Sequence, residues 1–414
     1  VLTVGIEPKG AGYVANSEEV LVEGLGVTDV ELGYDGNIYL CDFGGGWSVN
    51  TNGAIQTLQP KHSGGQAAGK VVSSIMEAGF KNRTVKELGA FLESPDRRVR
   101  QAAQFELVER GEEGELALWE VAYNPQRDVN TRLHGIWGLG QIGRREGRAV
   151  DMVEKMVKIM DGDETEIGAN IARTLGDIGH PSGLGRLQTL LFSRSSRVSS
   201  LAAIAIGKVS EKGDASVISS LYLASTRDSN PDPVMRHACL TALDAVGTEE
   251  AALSRVDDPE SEVRLLALLY LRRQESDHLE SFLADEDPLI QREAIRAVYD
   301  TRSVDGPSGL ALAGMGGEVS DHPASVQRRI VAANYRRGGG DNARNLVEMA
   351  GSSSLDSSVR EAALQGLLLW EKKIDTDPVL GTYRPLPDGE RSMERLGETI
   401  GAELKALLAT DLPP

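Results

Sequence analysis

A column of mostly apolar residues that recurs along most of this 414-residue chain constrains its fold more than any other feature. Val99, Thr131, Ile167, Val198, Met235, Val263, Ile290, Val326 and Val359 stand 32, 36, 31, 37, 28, 27, 36 and 33 residues apart, a period of about 33. Such a period means one supersecondary unit built many times, each burying its apolar face on the next. Four positions after each anchor stand Ala103, Gly135, Ile171, Ala202, Cys239, Ala267, Ala294, Ile330 and Ala363, mostly small, which lets two helices approach closely. Three positions before it stand Asp96, Asp128, Glu164, Ser195, Asp232, Glu260, Asp287, Pro323 and Asp356, of which seven are acidic. At that place an acid accepts the orphan N–H groups of a starting helix and opposes its dipole. Arg100, Arg132, Arg236, Arg264 and Arg360 lie four beyond an acid, a spacing that permits pairing within a helix or to the acid of the next repeat. Twelve residues past five anchors stand Gly111, Gly143, Gly179, Gly247 and Gly338, able to take φ > 0 past a helix end. The expected fold is mostly α: an α-solenoid, a superhelix of helix pairs, each with an amphipathic helix (85–92 in the first), a turn (94–96), a second apolar helix and a closing glycine.

A rival reading attaches to residues 138–143, Gly-Leu-Gly-Gln-Ile-Gly, which spell the dinucleotide-binding pattern, with Asp161 and Asp163 about twenty residues on. That pattern works only where the first glycine ends a strand and the last opens a helix. The preceding Thr131-Arg-Leu-His-Gly-Ile-Trp has no alternation and no β-branched run. It reads as helix, and Gly140 and Gly143 are expected to close it.

The repeats resemble HEAT repeats, in which an acid in the inter-helix turn precedes Val-Arg and alanines; here these are "SPDRRVRQAAQ", "DPESEVRLLAL" and "SLDSSVREAAL". The resemblance covers residues 83–374 in nine units and implies an interaction scaffold. Charge fits that: 62 acidic against 44 basic residues give a formal net charge of −18, which argues against nucleic acid as the partner. Arg328, Arg329, Arg336 and Arg337 cluster, and are read as a solvated helix face. The only cysteines, Cys41 and Cys239, lie in different segments, which excludes a disulfide framework, a thiolate metal site and, with no Cys-x-x-Cys-His, haem attachment by that motif. No run approaches the roughly 18 apolar residues of a membrane span. Residue 1 is Val rather than Met and no signal peptide follows it, so the chain is expected to be an internal piece.

Before the repeats the pattern turns to period two. Residues 27–43 read as two strands joined at Tyr34-Asp35-Gly36-Asn37, and residues 50–58 as a turn and a third strand. Two or three strands are not stable alone in water, so they either pack on the repeats or are the edge of a larger β-domain.

Thr28, Asp29, Val30, Gly33, Asp35, Gly36, Tyr39, Asp42, Phe43, Gly46 and Trp47 resemble the last blade of the sugar dehydrogenase-like β-propellers of large haem-binding, membrane-bound dehydrogenases of planctomycete and verrucomicrobial type. "TRLHGIWGLGQIGR" and "DPVLGTYRPLP" also resemble that family, the second as a loop interrupting its helical array. The resemblance implies an extracytoplasmic, periplasmic protein in which a propeller with a quinone cofactor precedes the repeats and a cytochrome c domain with haem c follows them. Both cofactors would lie elsewhere in the parent protein, a quinone-dependent sugar-type oxidoreductase, with none in this chain.

No catalytic constellation stands out. His134 and Trp137 lie three apart on a helix, and His134 is read as a core or groove-lining residue. Residues 161–166 are acidic but lack the spacing of a calcium loop. Catalytic, cofactor and metal residues are therefore assigned to none. The expected organisation is terminal propeller strands at 1–60, a connector at 61–82, the repeats at 83–374, a Pro-rich loop at 375–391 and the start of a further helical repeat at 392–414. In that last helix Leu396, Ile400, Leu404, Leu407 and Leu408 form an apolar stripe expected to need a partner, from a continuing chain or another subunit. Two functions follow as expectations: a non-catalytic scaffold segment spacing the propeller from the cytochrome domain, or a stand-alone protein–protein interaction module with no redox role.

Overall fold

The computed structural model describes residues 1–44, 52–61, 63–159, 166–227, 232–316, 321–372, 374–387 and 391–409. The protein is a helical-repeat solenoid carrying two small antiparallel sheets. It divides into two compact units, Val1–Glu211 with Asp232–Ala245, and Lys212–Pro231 with Val246–Pro414.

The first unit opens with strands β1 (Leu2–Lys9) and β2 (Gly12–Val20), a two-stranded ribbon, then β3 (Val27–Leu32), β4 (Ile38–Asp42) and β5 (Ala54–Leu58), a three-stranded sheet. The β3–β4 hairpin turns at Asp35-Gly36, with Gly36 at φ +83°. The β1–β2 ribbon falls within residues 1–60, where strands are expected, although the sequence pattern places no individual strand before residue 27. A bulge between Gly5 and Ile6 and the glycine turn at Gly10 break its alternation.

Helix α1 (Ser63–Ala78) leads into pairs: α2 (Val85–Phe91) with α3 (Arg97–Glu109), α4 (Gly111–Tyr123) with α5 (Val129–Gly143), α6 (Ala149–Ile159) with α7 (Glu166–Ile178), and α8 (Leu184–Leu190) with α9 (Ser196–Val209). Next come α10 (Ala215–Ser225), in the second unit, and α11 (Pro233–Val246), almost all of it in the first. The second unit continues with α12 (Glu249–Leu253) and α13 (Ser261–Arg273), then α14 (Pro288–Asp300), α15 (Pro307–Gly314) and α16 (Ala324–Arg337), then α17 (Gly340–Gly351), α18 (Ser357–Leu368) and α19 (Met393–Leu408). Before α14 the first member of the pair is only a 3-10 turn, Leu279–Phe282.

The nine anchors fall on α3, α5, α7, α9, α11, α13, α14, α16 and α18, none more than 7% exposed. The turn acids sit at helix starts. Asp96, Asp128, Asp232, Asp287 and Asp356 accept the N–H two residues on, at 2.8 to 2.9 Å, and Ser195 accepts that of Val198. Glu260 occupies the cap position of α13 without such a bond. Glu164, like Asp161 and Asp163, lies outside the described residues.

Several sequence expectations are corrected. Gly143 does not cap α5 but ends it from inside, and Arg144 is the cap. A Cβ on Gly135 would meet Leu118 O at 2.7 Å, on Gly138 Leu118 Cδ2 at 2.7 Å, on Gly140 Thr174 Cγ2 at 2.4 Å, and on Gly143 Ile178 Cδ1 at 2.9 Å. The glycines of the apparent nucleotide motif instead let α4 and α7 approach α5 closely. Gly179 and Gly338 do take positive φ past α7 and α16; Gly111, at φ +63°, also opens α4; Gly247 is absent from the positive-φ glycines. The arginine column is not a uniform acid–arginine ladder either. Arg100 donates to Ser94 O and Pro95 O at 2.7 and 2.9 Å, and Asp96 pairs with Arg98 at 2.6 Å. Arg132 and Arg360 donate to Ala122 O and Ala350 O, closing the ends of the preceding helices. Arg264 grips Asp285 at 2.9 and 3.0 Å, as well as Asp258 O.

The C-terminal stripe is mostly satisfied within the chain. Leu396, Ile400 and Leu407 are buried and α19 packs on α17, where a Cβ on Gly351 would meet Leu407 Cδ1 at 3.2 Å. Leu408 remains 73% exposed.

Candidate functional site

The β-segments are held on the helix starts of the first unit. At the tip of the ribbon the Ala11 N–H donates to Asp232 Oδ2 at 2.7 Å, while Asp232 Oδ1 caps α11 through Val234 N at 2.9 Å. One carboxylate thus serves a helix and a hairpin together. Gly10 has to be glycine twice over: its φ is +57°, and a Cβ would stand 2.4 Å from Asp232 Oδ2. Beside it the Arg197 guanidinium lies 5.3 Å from the Tyr13 ring centre and is fixed by Glu166 at 2.5 and 2.8 Å. The hydrogen bonds from Arg197 hold the Glu166 carboxyl below its ordinary range, so the pair stays charged at neutral pH.

The three-stranded sheet has a second clamp of the same kind. Arg98, at the start of α3, donates to Leu32 O and to Gly33 O, the latter at 3.2 Å, and covers the Tyr34 ring at 4.4 Å. Asp96 fixes Arg98 from the helix side, and that hydrogen bond lowers the Asp96 pKa. The hairpin turn also sits on α1, where a Cβ on Gly69 would fall 1.9 Å from Asp35 O.

With its tip held, the ribbon presents apolar side chains to solvent. Leu2 pairs with Val20 and Ile6 with Ala15, and Leu2, Val4, Ile6, Tyr13 and Val20 are all exposed, Ile6 to 64%. A two-stranded ribbon also leaves both its edges unpaired among the described residues. Unpaired strand edges of this kind are templates on which a further strand can pair.

The polar candidates have local roles. Asp35 accepts from Asn37 N, Asn37 Nδ2 and Tyr39 OH, Asp42 from Gly26 N and Gly44 N, and Asp29 from Val30 N. The Asp35 pKa is lowered, mainly by the Asn37 backbone. His134 is buried, with Nδ1 2.7 Å from Gln104 Oε1 and its ring edge-on to Trp137, and burial pushes its pKa down to about 4. Among the described residues no three His, Cys, Asp or Glu side chains form a group able to hold a metal, and no helix is long and apolar enough to cross a membrane. Asp232 and Asp96 belong to the sequence column. Arg98, Arg197, Tyr13 and Tyr34 do not, and nothing periodic singles them out, because their partners lie far away in the chain.

The fold and these clamps define a class: a helical-repeat protein bearing β-ribbons on its helix starts. No protein-family model matches the chain, and no curated protein matches it in sequence. Solved structures similar to it include an engineered protein, at 18% identity over 79% of this chain and 94% of that one, TM-score 0.32. Human deoxyhypusine hydroxylase in complex with glycerol matches at 15% identity over 74% of this chain and 98% of that one, TM-score 0.26. The CpcE and CpcF complex of phycocyanin lyase from a Nostoc species matches at 17% identity over 69% of this chain and 88% of that one, TM-score 0.23.

Proposed function

We propose that the chain is a non-catalytic scaffold that holds a β-structured neighbour against a stack of helical repeats. The observation that carries this reading is the clamped ribbon: its tip is tied to Asp232 while Leu2, Val4, Ile6 and Val20 stay uncovered. A surface meant only for solvent would not expose them together beside open strand edges. In its finer form, the neighbour is a sugar dehydrogenase-like propeller, and the repeats space it from a cytochrome c domain in an extracytoplasmic dehydrogenase. The resemblance of residues 28–47 supports that form. Substrate oxidation and electron acceptance belong to those neighbours, with quinone and haem c bound there, and the residues of this chain set distance and orientation.

The test is the intact mass and visible spectrum of the native polypeptide from its source. A mass far above 44.4 kDa with c-type haem absorbance is the expected result. A mass equal to that of this chain, without haem, would overturn the dehydrogenase form and leave a stand-alone interaction module.

A further inference from the structure

The second unit holds a cavity of about 230 Å³ between α16, α18 and the loop that follows α18. Its apolar lining includes Val331, Tyr335, Leu369, Ile374 and Val379. These walls are built in advance. The Tyr335 hydroxyl shares its one hydrogen between Leu369 O at 3.1 Å and Lys372 O at 2.9 Å, fixing the ring. The loop is pinned by Asp377, which is buried and accepts from Tyr299 OH, Val379 N and Leu380 N, each at 2.9 Å.

Among the described residues one cation, Arg328, lines this cavity. Of the four arginines on α16, Arg329 is bound by Asp300 at 2.8 and 3.0 Å, Arg336 by Asp305 at 2.6 and 2.8 Å, and Arg337 by Gly306 O. Arg328 makes no hydrogen bond or ion pair among the described residues, and its charge acts at longer range on the Asp356 carboxylate, helping to lower its pKa. A guanidinium at the edge of a largely apolar cavity, with no protein hydrogen bond to satisfy first, suits a carboxylate. Across from it, α18 contributes Glu361 and Gln365. The Gln365 amide N–H donates to Glu361 at 3.2 Å, which leaves the Gln365 carbonyl to accept.

We propose that this cavity binds the C-terminal residue of a peptide, its apolar side chain inside and its α-carboxylate on Arg328. The cavity is smaller than the roughly 300–1,000 Å³ of pockets for drug-sized ligands, so charge and apolar group have to be carried by the same residue. In a peptide, an apolar side chain and a carboxylate share one residue only at the C-terminus. The preceding amide N–H then meets the Gln365 carbonyl. The site is independent of the ribbon and of the scaffold reading.

Titration of the full chain with acetyl-Ala-Ala-Leu as the free acid and as the C-terminal amide tests the assignment. The acid is expected to bind at least about tenfold more tightly than the amide, as a charge-assisted bidentate pair would give. Arg328→Ala should reduce the acid to the level of the amide and leave the amide unchanged. Ala362→Leu, which fills the cavity from α18, should abolish both, with the melting curve as the check on folding. Equal binding of acid and amide, no saturable binding of either, or an acid preference that survives Arg328→Ala would each overturn the proposal.

Discussion

Gly135 and Gly89 are both helical glycines, yet the same substitution should move them in opposite directions. In an open helix position Gly→Ala stabilises by roughly 0.5–1 kcal/mol, and nothing lies within 4 Å of a Cβ on Gly89. At Gly135 that Cβ would meet backbone, Leu118 O at 2.7 Å and Ala122 N at 2.9 Å. Overpacking of that kind costs about 1–3 kcal/mol and outweighs the propensity gain. Urea unfolding should therefore place Gly89→Ala above the parent protein and Gly135→Ala below it. His134 supplies a pH dependence. Burial lowers its pKa from 6.5 to about 4, so the folded state binds fewer protons than the unfolded chain between those values. Its contribution is complete above pH 6.5 and is lost as pH falls to about 4, amounting to as much as about 3 kcal/mol. The parent protein should lose more stability over that window than His134→Gln; parallel pH profiles for the two would contradict this.

Helix starts carry the next level of organisation, and the turn acids differ in what they hold. Asp356 caps α18 through Ser358 N and takes the Ser358 hydroxyl. Asp232 caps α11 and also carries the ribbon through the Ala11 amide. Asp356→Ala should cost about 1 kcal/mol, the usual loss for a cap. Asp232→Ala should cost about 1 kcal/mol more for the second hydrogen bond, and should release protection of the Ala11 amide in hydrogen exchange. A ribbon that stays protected in Asp232→Ala would mean that the Tyr13 contact with Arg197, and not the carboxylate, holds it. The turn acids were readable from the sequence because capping is local: an acid three residues before an anchor meets N–H groups of its own helix. The second use of Asp232 was not readable, since its partner is 221 residues away.

For the molecule as a whole, the exposed ribbon makes its own prediction. Val4→Lys and Ile6→Lys change positions more than half exposed, so stability should stay within about 0.5 kcal/mol. Capture of the proposed β-structured neighbour should nevertheless be lost. A destabilised variant would show that the ribbon face packs within the chain and would remove the basis of the scaffold reading. Period, anchor, small residue and turn acid were all present in the sequence, because a solenoid repeats contacts between neighbours and writes each of them at the same offset. The nine anchors could therefore be named in advance, and all are buried. The Gly138-Gly140-Gly143 spelling misled about caps because close approach of helices and a helix end both select glycine, and only the position of Leu118, Thr174 and Ile178 separates them. The burial of Leu396, Ile400 and Leu407 within the chain, the clamps of Arg98 and Arg197, and the cavity beside Arg328 likewise came only from the tertiary structure. Local and periodic interactions leave their mark at fixed spacing along the chain, whereas contacts made once, between distant segments, leave none.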